Sequence, residues 1–224
     1  MSTPSFELTQ LTALRGSARV PFGARLQALA ERAIGVCLLI LASPALGAVA
    51  LLVLVLSRQS PFIAHRRVGQ YGVEFWMLKI RTMWDRTSPS RSRGWVEHLA
   101  DTDVPASKST TDPRITSRFA VFCRRFSFDE LPQLFHVVTG RMRLVGPRPI
   151  TSAEWNTYYG DSAAPVLSVA PGITGLWQIK GRNRLTYPQR RRLDLFYARH
   201  RSLLFDLTIL VRTPARVLSG RDAC

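Results

Sequence analysis

The longest apolar segment of the chain runs from Ala33 to Leu56, 24 residues without a charged side chain. A run of this length can form a transmembrane helix, which needs about 20 apolar residues. Ser43-Pro44 lies at its centre, however, and an interior proline kinks a helix at a cost of about 3 kcal/mol or more. Arginines flank the run on both sides, so the positive-inside rule gives no clear orientation. From the residues alone, a spanning helix and a re-entrant helix-break-helix are equally consistent with this pattern.

Two further segments, residues 21–32 and 203–218, place apolar and basic side chains at helical spacing. An apolar helix face bordered by arginines either packs on a domain core or lies in the plane of the lipid headgroups. Both interpretations are open for both segments.

From residue 57 onward the chain mixes short strand and helix patterns, which indicates an α+β domain. Residues 68–72 have the composition of a hairpin turn, and residues 85–113 form a long polar stretch typical of a functional or mobile loop. The patterns predict strands at 75–78 and 176–179 and helices at 119–126, 131–139, 153–159, 187–201 and 203–218.

The formal net charge of +16 indicates an anionic partner, which can be nucleic acid, anionic lipid or a phosphorylated substrate. Nearly all of the positive charge is arginine, which favours bidentate phosphate contacts but is also what a GC-rich genome encodes. The chain shows no zinc-finger, helix-turn-helix or RNP-like pattern, which argues against nucleic acid. Its three scattered cysteines give no disulfide framework or zinc spacing and fit a reducing environment.

Two adjacent carboxylates, Asp129 and Glu130, lie in a segment otherwise dominated by arginine. A cationic environment can hold phosphates while one carboxylate binds a divalent metal ion and the other attacks phosphorus. The alternative is an ordinary first helical turn, where acidic residues interact favourably with the helix dipole.

The segment Ser127-Phe128-Asp129-Glu130-Leu131-Pro132-Gln133-Leu134, followed by Leu144-Val145-Gly146-Pro147-Arg148-Pro149, closely resembles the bacterial sugar transferases. These are monotopic phosphoglycosyl transferases, which start undecaprenyl-linked glycan assembly. Further blocks follow the order of the family from about Ala33 to Leu218, and several long motifs in one order are far more specific than one short signature. These blocks begin at Lys79, Asp112, Pro171, Gly181, Leu193 and Asp206.

The resemblance implies an enzyme that transfers sugar-1-phosphate from a nucleotide sugar, usually a UDP-sugar, to undecaprenyl phosphate and releases UMP. It implies that Asp129 is the nucleophile of a covalent phosphosugar intermediate. Glu130 matches the acid that coordinates Mg²⁺, with Mn²⁺ as the alternative metal. Such a step would begin the synthesis of an exopolysaccharide, capsule, O-antigen or glycoprotein glycan.

Further site residues are carried over by the same resemblance. Arg124 matches an arginine near the substrate phosphates, and Lys79 matches another basic position. Pro147, Arg148 and Pro149 are expected to shape the nucleotide pocket, and Asp194 matches an acidic position of less certain role.

Three positions, Phe126, Ala170 and Ile80, depart from the usual pattern of the family. None of them is Asp129 or Glu130. Ala170 replaces a residue that is usually basic, which could alter a phosphate or headgroup contact.

The family shares a Ser-Pro break, so the resemblance favours the re-entrant helix. We therefore expect an N-terminal amphipathic or flexible segment at residues 1–32 and a re-entrant helix at 33–56 broken at Ser43-Pro44. A cytosolic catalytic domain should occupy residues 57–224, with a mobile loop at about 85–112. The expected location is the cytoplasmic face of the bacterial inner membrane, in contact with anionic lipid and without nucleic acid, and a homodimer is left open. The competing hypotheses are a non-catalytic membrane-anchored basic scaffold and a nucleic-acid-binding protein.

Overall fold

A computed structural model describes residues 22–83, 94–99, 117–160 and 164–219. Helices and strands alternate irregularly, as the α+β prediction requires. The helices are α1 (Phe22–Ser57), α2 (Arg118–Arg125), α3 (Leu134–Val138), α4 (Ser152–Glu154), α5 (Ala164–Leu167), α6 (Leu176–Lys180), α7 (Tyr187–His200) and α8 (Leu203–Leu218). The strands are β1 (Phe62–Val68), β2 (Glu74–Ile80), β3 (Val96–Leu99), β4 (Arg143–Val145) and β5 (Gly172–Thr174). Short 3₁₀ turns occupy Gln70–Gly72, Phe128–Gln133 and Arg182–Arg184, and a π-helical turn, Trp155–Tyr159, follows α4.

The apolar segment forms a single helix, α1, which differs from the sequence expectation at two points. Pro44 lies inside this helix, so Ser43-Pro44 does not interrupt it. The expected boundary after residue 32 is also absent, since residues 22–32 form the first turns of the same helix. The Ser43 hydroxyl donates to the Ile40 carbonyl at 2.7 Å, a bond back to the preceding turn that accompanies helix bending.

Among the described residues, α1 is the one helix long and apolar enough to cross a membrane. Only 17% of the most apolar 18-residue stretch of α1 is buried against the rest of the protein, so α1 is not a core helix. Signal sequences can have the same length and composition. The helix α1 by itself therefore establishes an exposed apolar surface and does not establish a membrane crossing.

The first half of α1 is fixed to the domain by a polar network. The Glu31 carboxylate accepts hydrogen bonds from the Arg143 guanidinium, with Arg143 Nε at 3.1 Å, and from the Leu144 backbone N–H at 3.3 Å. Gln27 donates to Asp206 Oδ2 at 3.2 Å, and Arg143 lies 3.6 Å from the same oxygen. The Tyr197 hydroxyl, which is fully buried, donates to Asp206 Oδ1 at 2.7 Å. This network joins α1 to β4, α7 and α8.

The second half of α1 packs on the same domain through apolar contacts. Val49 and Val53 form a buried cluster with Ile80 of β2 and Cys123 of α2. Residues on both sides of Pro44 therefore contact one folded unit.

The predicted hairpin is confirmed: β1 and β2 pair antiparallel, from Phe62 opposite Ile80 to Val68 opposite Glu74. The expected loop at 85–112 is not a loop throughout, because residues 96–99 form β3, which pairs parallel to β1. Residues 94 and 95 lead into this strand, and the remainder of that loop lies outside the described residues. This sheet carries Lys79 on β2.

A second sheet pairs β4 with β5 in parallel, directly before the Gly146-Pro147-Arg148-Pro149 segment. The two backbones approach closely at Gly146 and Gly172: a Cβ on Gly172 would lie 2.0 Å from the Gly146 nitrogen. Residues 176–179 were predicted as a strand, and this is wrong, because they belong to helix α6. The consecutive residues Leu176 and Trp177 are both buried, which a strand with one covered face does not allow.

We predict that Gly172→Ala destabilises the protein by about 1–3 kcal/mol, because the added methyl group would clash with backbone that cannot move aside. Gly47→Ala is the control, since nothing lies within 4 Å of that Cβ position and alanine favours a helix. Thermal unfolding of both variants in detergent tests this. An unchanged unfolding temperature for Gly172→Ala would show that the two strands are not held this closely.

Candidate active site

The acidic pair lies directly after the sharp turn that separates α2 from a 3₁₀ helix. Ser127 adopts the left-handed conformation with φ of 59°, which stops α2 and starts the 3₁₀ helix Phe128–Gln133. Asp129 and Glu130 occupy the first turn of this 3₁₀ helix. The Arg182 guanidinium, 55 residues further along the chain, donates to the Ser127 hydroxyl at 2.7 Å.

Lys79 and Glu130, 51 residues apart in the chain, are brought together as an ion pair. Lys79 Nζ lies 3.3 Å from Glu130 Oε1, and both side chains are partly buried. The charge of Asp129 acts on Cys123, whose pKa is raised to about 11, mainly by burial and secondly by Asp129. Three of the expected site residues, Lys79, Asp129 and Glu130, thus meet at one place.

Arg124 lies in the last turn of α2, three residues before Ser127. Its Nε is buried and has no hydrogen-bond partner among the described residues. A buried donor without a partner is energetically costly and is satisfied by an acceptor such as a phosphate oxygen. The expected role of Arg124 near phosphates is therefore consistent with its surroundings.

Arg148 is held in place on two sides. Its guanidinium carbon lies 5.0 Å above the Trp177 ring, a cation–π contact. Its backbone N–H donates to Asp194 Oδ1 at 3.4 Å, while the Tyr159 hydroxyl donates to Asp194 Oδ2 at 2.9 Å. The prolines on either side restrict the backbone of this segment.

Asp194 does not face an open site, because it is only 1% exposed. In the structure its side chain holds the Arg148 backbone, and a contact of Asp194 with substrate stays a prediction. Burial raises the pKa of Asp194 to about 7, and the hydrogen bonds from Tyr159 and Arg148 oppose that shift only in part.

Two arginines join this arrangement that had no individual role in the sequence prediction. Arg190 lies 5.5 Å from the Trp177 ring and donates to the Arg182 carbonyl at 3.3 Å. Arg182 in turn contacts Ser127, so Arg148, Arg190 and Arg182 connect the Asp194 anchor to the acidic turn. Arg182 stood in one of the blocks that carry the resemblance, and nothing in the sequence pattern singled out Arg190.

The described residues contain no group of three or more His, Cys, Asp or Glu side chains that could hold a metal ion by themselves. Glu130 offers one carboxylate beside the expected nucleophile Asp129. One carboxylate fits Mg²⁺, which typically takes one or two carboxylates and completes its coordination with substrate phosphates and water. It does not fit a structural zinc site, which needs four protein ligands.

Residues 23–220 match the bacterial sugar transferase family, and the chain therefore belongs to that family. The enzyme class expected from the sequence is confirmed at the level of this family.

Three relatives are informative. The chain is 39% identical over 207 residues to the exopolysaccharide production protein ExoY of Sinorhizobium fredii, covering 85% of this chain and 87% of that protein. It is 41% identical over 187 residues to the UDP-galactose-lipid carrier transferase of Erwinia amylovora, covering 80% of this chain and 38% of the relative. It is 38% identical over 205 residues to the UDP-glucose:undecaprenyl-phosphate glucose-1-phosphate transferase of Xanthomonas campestris pv. campestris, covering 88% and 40%. The chain thus spans most of one relative and well under half of the other two.

We predict that Asp194 makes stability depend on pH. Because its folded-state pKa of about 7 lies above the ordinary value of 3.8, the folded protein retains a proton that the unfolded chain releases. This contribution is present at low pH and is lost as the pH rises toward and through 7, on the order of a few kcal/mol. Asp194→Asn cannot titrate, so the difference in unfolding temperature between wild type and variant should change over this range.

Tyr159→Phe serves as the partner variant in the same pH series. It removes a hydrogen bond that favours the ionised carboxylate, so the loss of stability should move to higher pH. A wild-type-minus-Asp194→Asn difference that is constant from pH 4 to 8 would contradict the titration.

Proposed function

We infer that this chain transfers sugar-1-phosphate from a UDP-sugar to undecaprenyl phosphate, releasing UMP, through a covalent phosphosugar intermediate on Asp129. The observation that carries this proposal is the acidic turn itself. Ser127, in the left-handed conformation, starts the 3₁₀ helix that holds Asp129 and Glu130. Lys79 forms an ion pair with Glu130, and Arg182 donates a hydrogen bond to Ser127. The names of the relatives, which include transferases for galactose and for glucose-1-phosphate, support the same reaction class.

In the first half-reaction an Asp129 oxygen attacks the phosphorus that carries the sugar. A bond forms between that oxygen and phosphorus, while the bond from this phosphorus to the bridging oxygen breaks and UMP departs with the electron pair. In the second half, the phosphate oxygen of the acceptor attacks the same phosphorus. The Asp129 carboxylate is then released, and the net products are UMP and a lipid diphosphate sugar. A carboxylate nucleophile accelerates the transfer because it divides one difficult displacement at phosphorus into two easier ones.

The cations around the turn bind and orient the phosphates. Lys79 and Arg124 are placed to neutralise the diphosphate, and the Arg124 Nε needs such an acceptor. Arg148 and Arg190, stacked with Trp177, form the adjoining wall for the nucleotide. Glu130 would hold Mg²⁺, which offsets the negative charge of the diphosphate and stabilises the leaving phosphate.

We propose that the protein lies at the cytoplasmic face of the bacterial inner membrane, with α1 re-entrant as a helix that bends at Ser43-Pro44 instead of breaking there. The support is packing: Glu31 before Pro44 and Val53 after it both contact the catalytic domain. A helix that crossed the bilayer would carry its two ends to opposite sides, and one domain could not pack on both flanks. Contact with anionic lipid and the absence of nucleic acid are part of this proposal, and a homodimer stays a prediction.

Asp129→Asn should lower UMP release from the accepted UDP-sugar by roughly a thousandfold or more, since the amide cannot act as the nucleophile. Intact-protein mass spectrometry with donor alone should show a sugar-phosphate adduct on the wild type and none on the variant. Glu74→Gln, an exposed acid on β2, is the control and should retain activity. Near-normal release by Asp129→Asn would remove the nucleophile assignment. No release by the wild type across a panel of UDP-sugars would favour the scaffold or nucleic-acid-binding alternative.

Metal removal gives a separate test of Glu130. Excess EDTA should stop UMP release by the wild type, and Mg²⁺ or Mn²⁺ should restore it. Glu130→Gln keeps the side-chain shape but weakens the ligand, so we expect a large fall in the rate of UMP release and a higher Mg²⁺ concentration for half-maximal rate. Full wild-type activity in EDTA, or an unchanged Mg²⁺ requirement in the variant, would exclude this role.

A further inference from the structure

A second basic site lies away from the acidic turn, between the end of α6 and the last turns of α8. It is a cavity of about 330 Å³ lined by Ile179, Lys180, Arg212, Ala215, Arg216 and Ser219. Three of these six side chains are cationic and none is acidic. None of the residues described around Asp129 or Arg148 lines the cavity.

The walls of the cavity are fixed by the fold. The Thr174 and Thr213 hydroxyls are hydrogen-bonded at 2.8 Å, which holds α8 against β5 immediately before α6. Ile209 is fully buried in the main core one turn earlier. Arg212 and Arg216, four residues apart, lie on the same face of α8, where like charges repel by a few tenths of a kcal/mol. An anion between them and Lys180 would relieve that repulsion.

The surface next to the cavity is apolar and exposed. Leu204, Leu207, Val211 and Leu218 are between 48% and 77% exposed and recur at helical spacing along α8. Ala215, which lines the cavity, comes one turn after Val211, so the cavity opens beside this apolar stripe. A basic pocket at the edge of an apolar helix face is suited to an anion that is attached to a hydrocarbon chain.

We propose that this cavity binds the phosphate headgroup of an anionic membrane phospholipid, with Lys180, Arg212 and Arg216 as its cationic ligands. The acyl chains would lie along the exposed stripe of α8. The proposal rests on the membrane association proposed above, and it does not depend on the transfer chemistry.

The test measures lipid binding without turnover. Detergent-purified protein is mixed with phosphatidylglycerol or phosphatidylcholine, and native mass spectrometry counts the retained lipid. The wild type should retain phosphatidylglycerol in preference, and the double variant Lys180→Gln/Arg212→Gln should bind it about tenfold more weakly or worse. Both side chains are exposed, so the variant should fold normally, as thermal unfolding will show. Arg192→Gln, an exposed arginine on α7, is the control for loss of charge and should behave as wild type.

Equal retention of the two lipids by the wild type, or unchanged retention by the double variant, would overturn the proposal. Two competition experiments distinguish a phospholipid headgroup from other phosphate ligands of the cavity. Displacement of phosphatidylglycerol by millimolar inorganic phosphate would make this a site for soluble phosphate, and displacement by stoichiometric polyprenyl phosphate would make it the acceptor site. Either result would overturn the assignment to phospholipid. Because no donor sugar is present, this outcome is independent of whether UMP is released.

Discussion

The rest of the structure depends on the buried polar network that ties helix α1 to the catalytic domain. Glu31 of α1 accepts from Arg143 and from the Leu144 backbone, and Gln27 reaches Asp206. Partly buried charges of this kind are stable only as a complete set, because removing one partner leaves the other uncompensated, at a cost of about 3–5 kcal/mol. The apolar helix therefore has one position on the domain rather than a sliding contact.

The position of α1 is linked to the candidate active site in two ways, along the chain from Arg143 and through side-chain packing at Val53. Arg143 begins β4, and three residues later the chain enters Gly146-Pro147-Arg148-Pro149. Pairing of β4 with β5 sets the start of that segment, and Asp194 holds the Arg148 backbone at its centre. On the other flank, Val53 packs with Cys123, six residues before Asp129. The apolar helix α1 thus contacts the elements that hold both the acidic turn and the Arg148 segment.

The sequence predicted what local pattern and motif can encode. The hairpin at residues 68–72, the helix over 203–218 and the break at Ser127 all follow from spacing and turn chemistry. Family blocks located Asp129, Glu130 and Lys79, although only the fold could show that Lys79 and Glu130 are in contact.

The points at which the sequence predictions differ from the structure depend on contacts between residues that are distant in the chain. Strand β3 forms inside a polar segment because β1 offers it a free edge, which no periodicity reveals. Pro44 remains within the helix because residues on both sides of it are held by packing that outweighs its local cost. No sequence pattern indicates that Asp194 is buried, and only the surrounding Tyr159 and Arg148 explain how its carboxylate is accommodated in the interior.

The central claim is that both flanks of α1 lie on the same side of the membrane as the catalytic domain. The most direct measurement is labelling of single cysteines at Gly23 and Arg58, in a background without the native cysteines, by a membrane-impermeant maleimide applied from the periplasm. We expect that neither position reacts in intact spheroplasts and that both react after lysis, with a periplasmic cysteine protein as the positive control. Reaction of either position before lysis would contradict it, because one end of α1 would then lie across the bilayer from the domain on which it is packed.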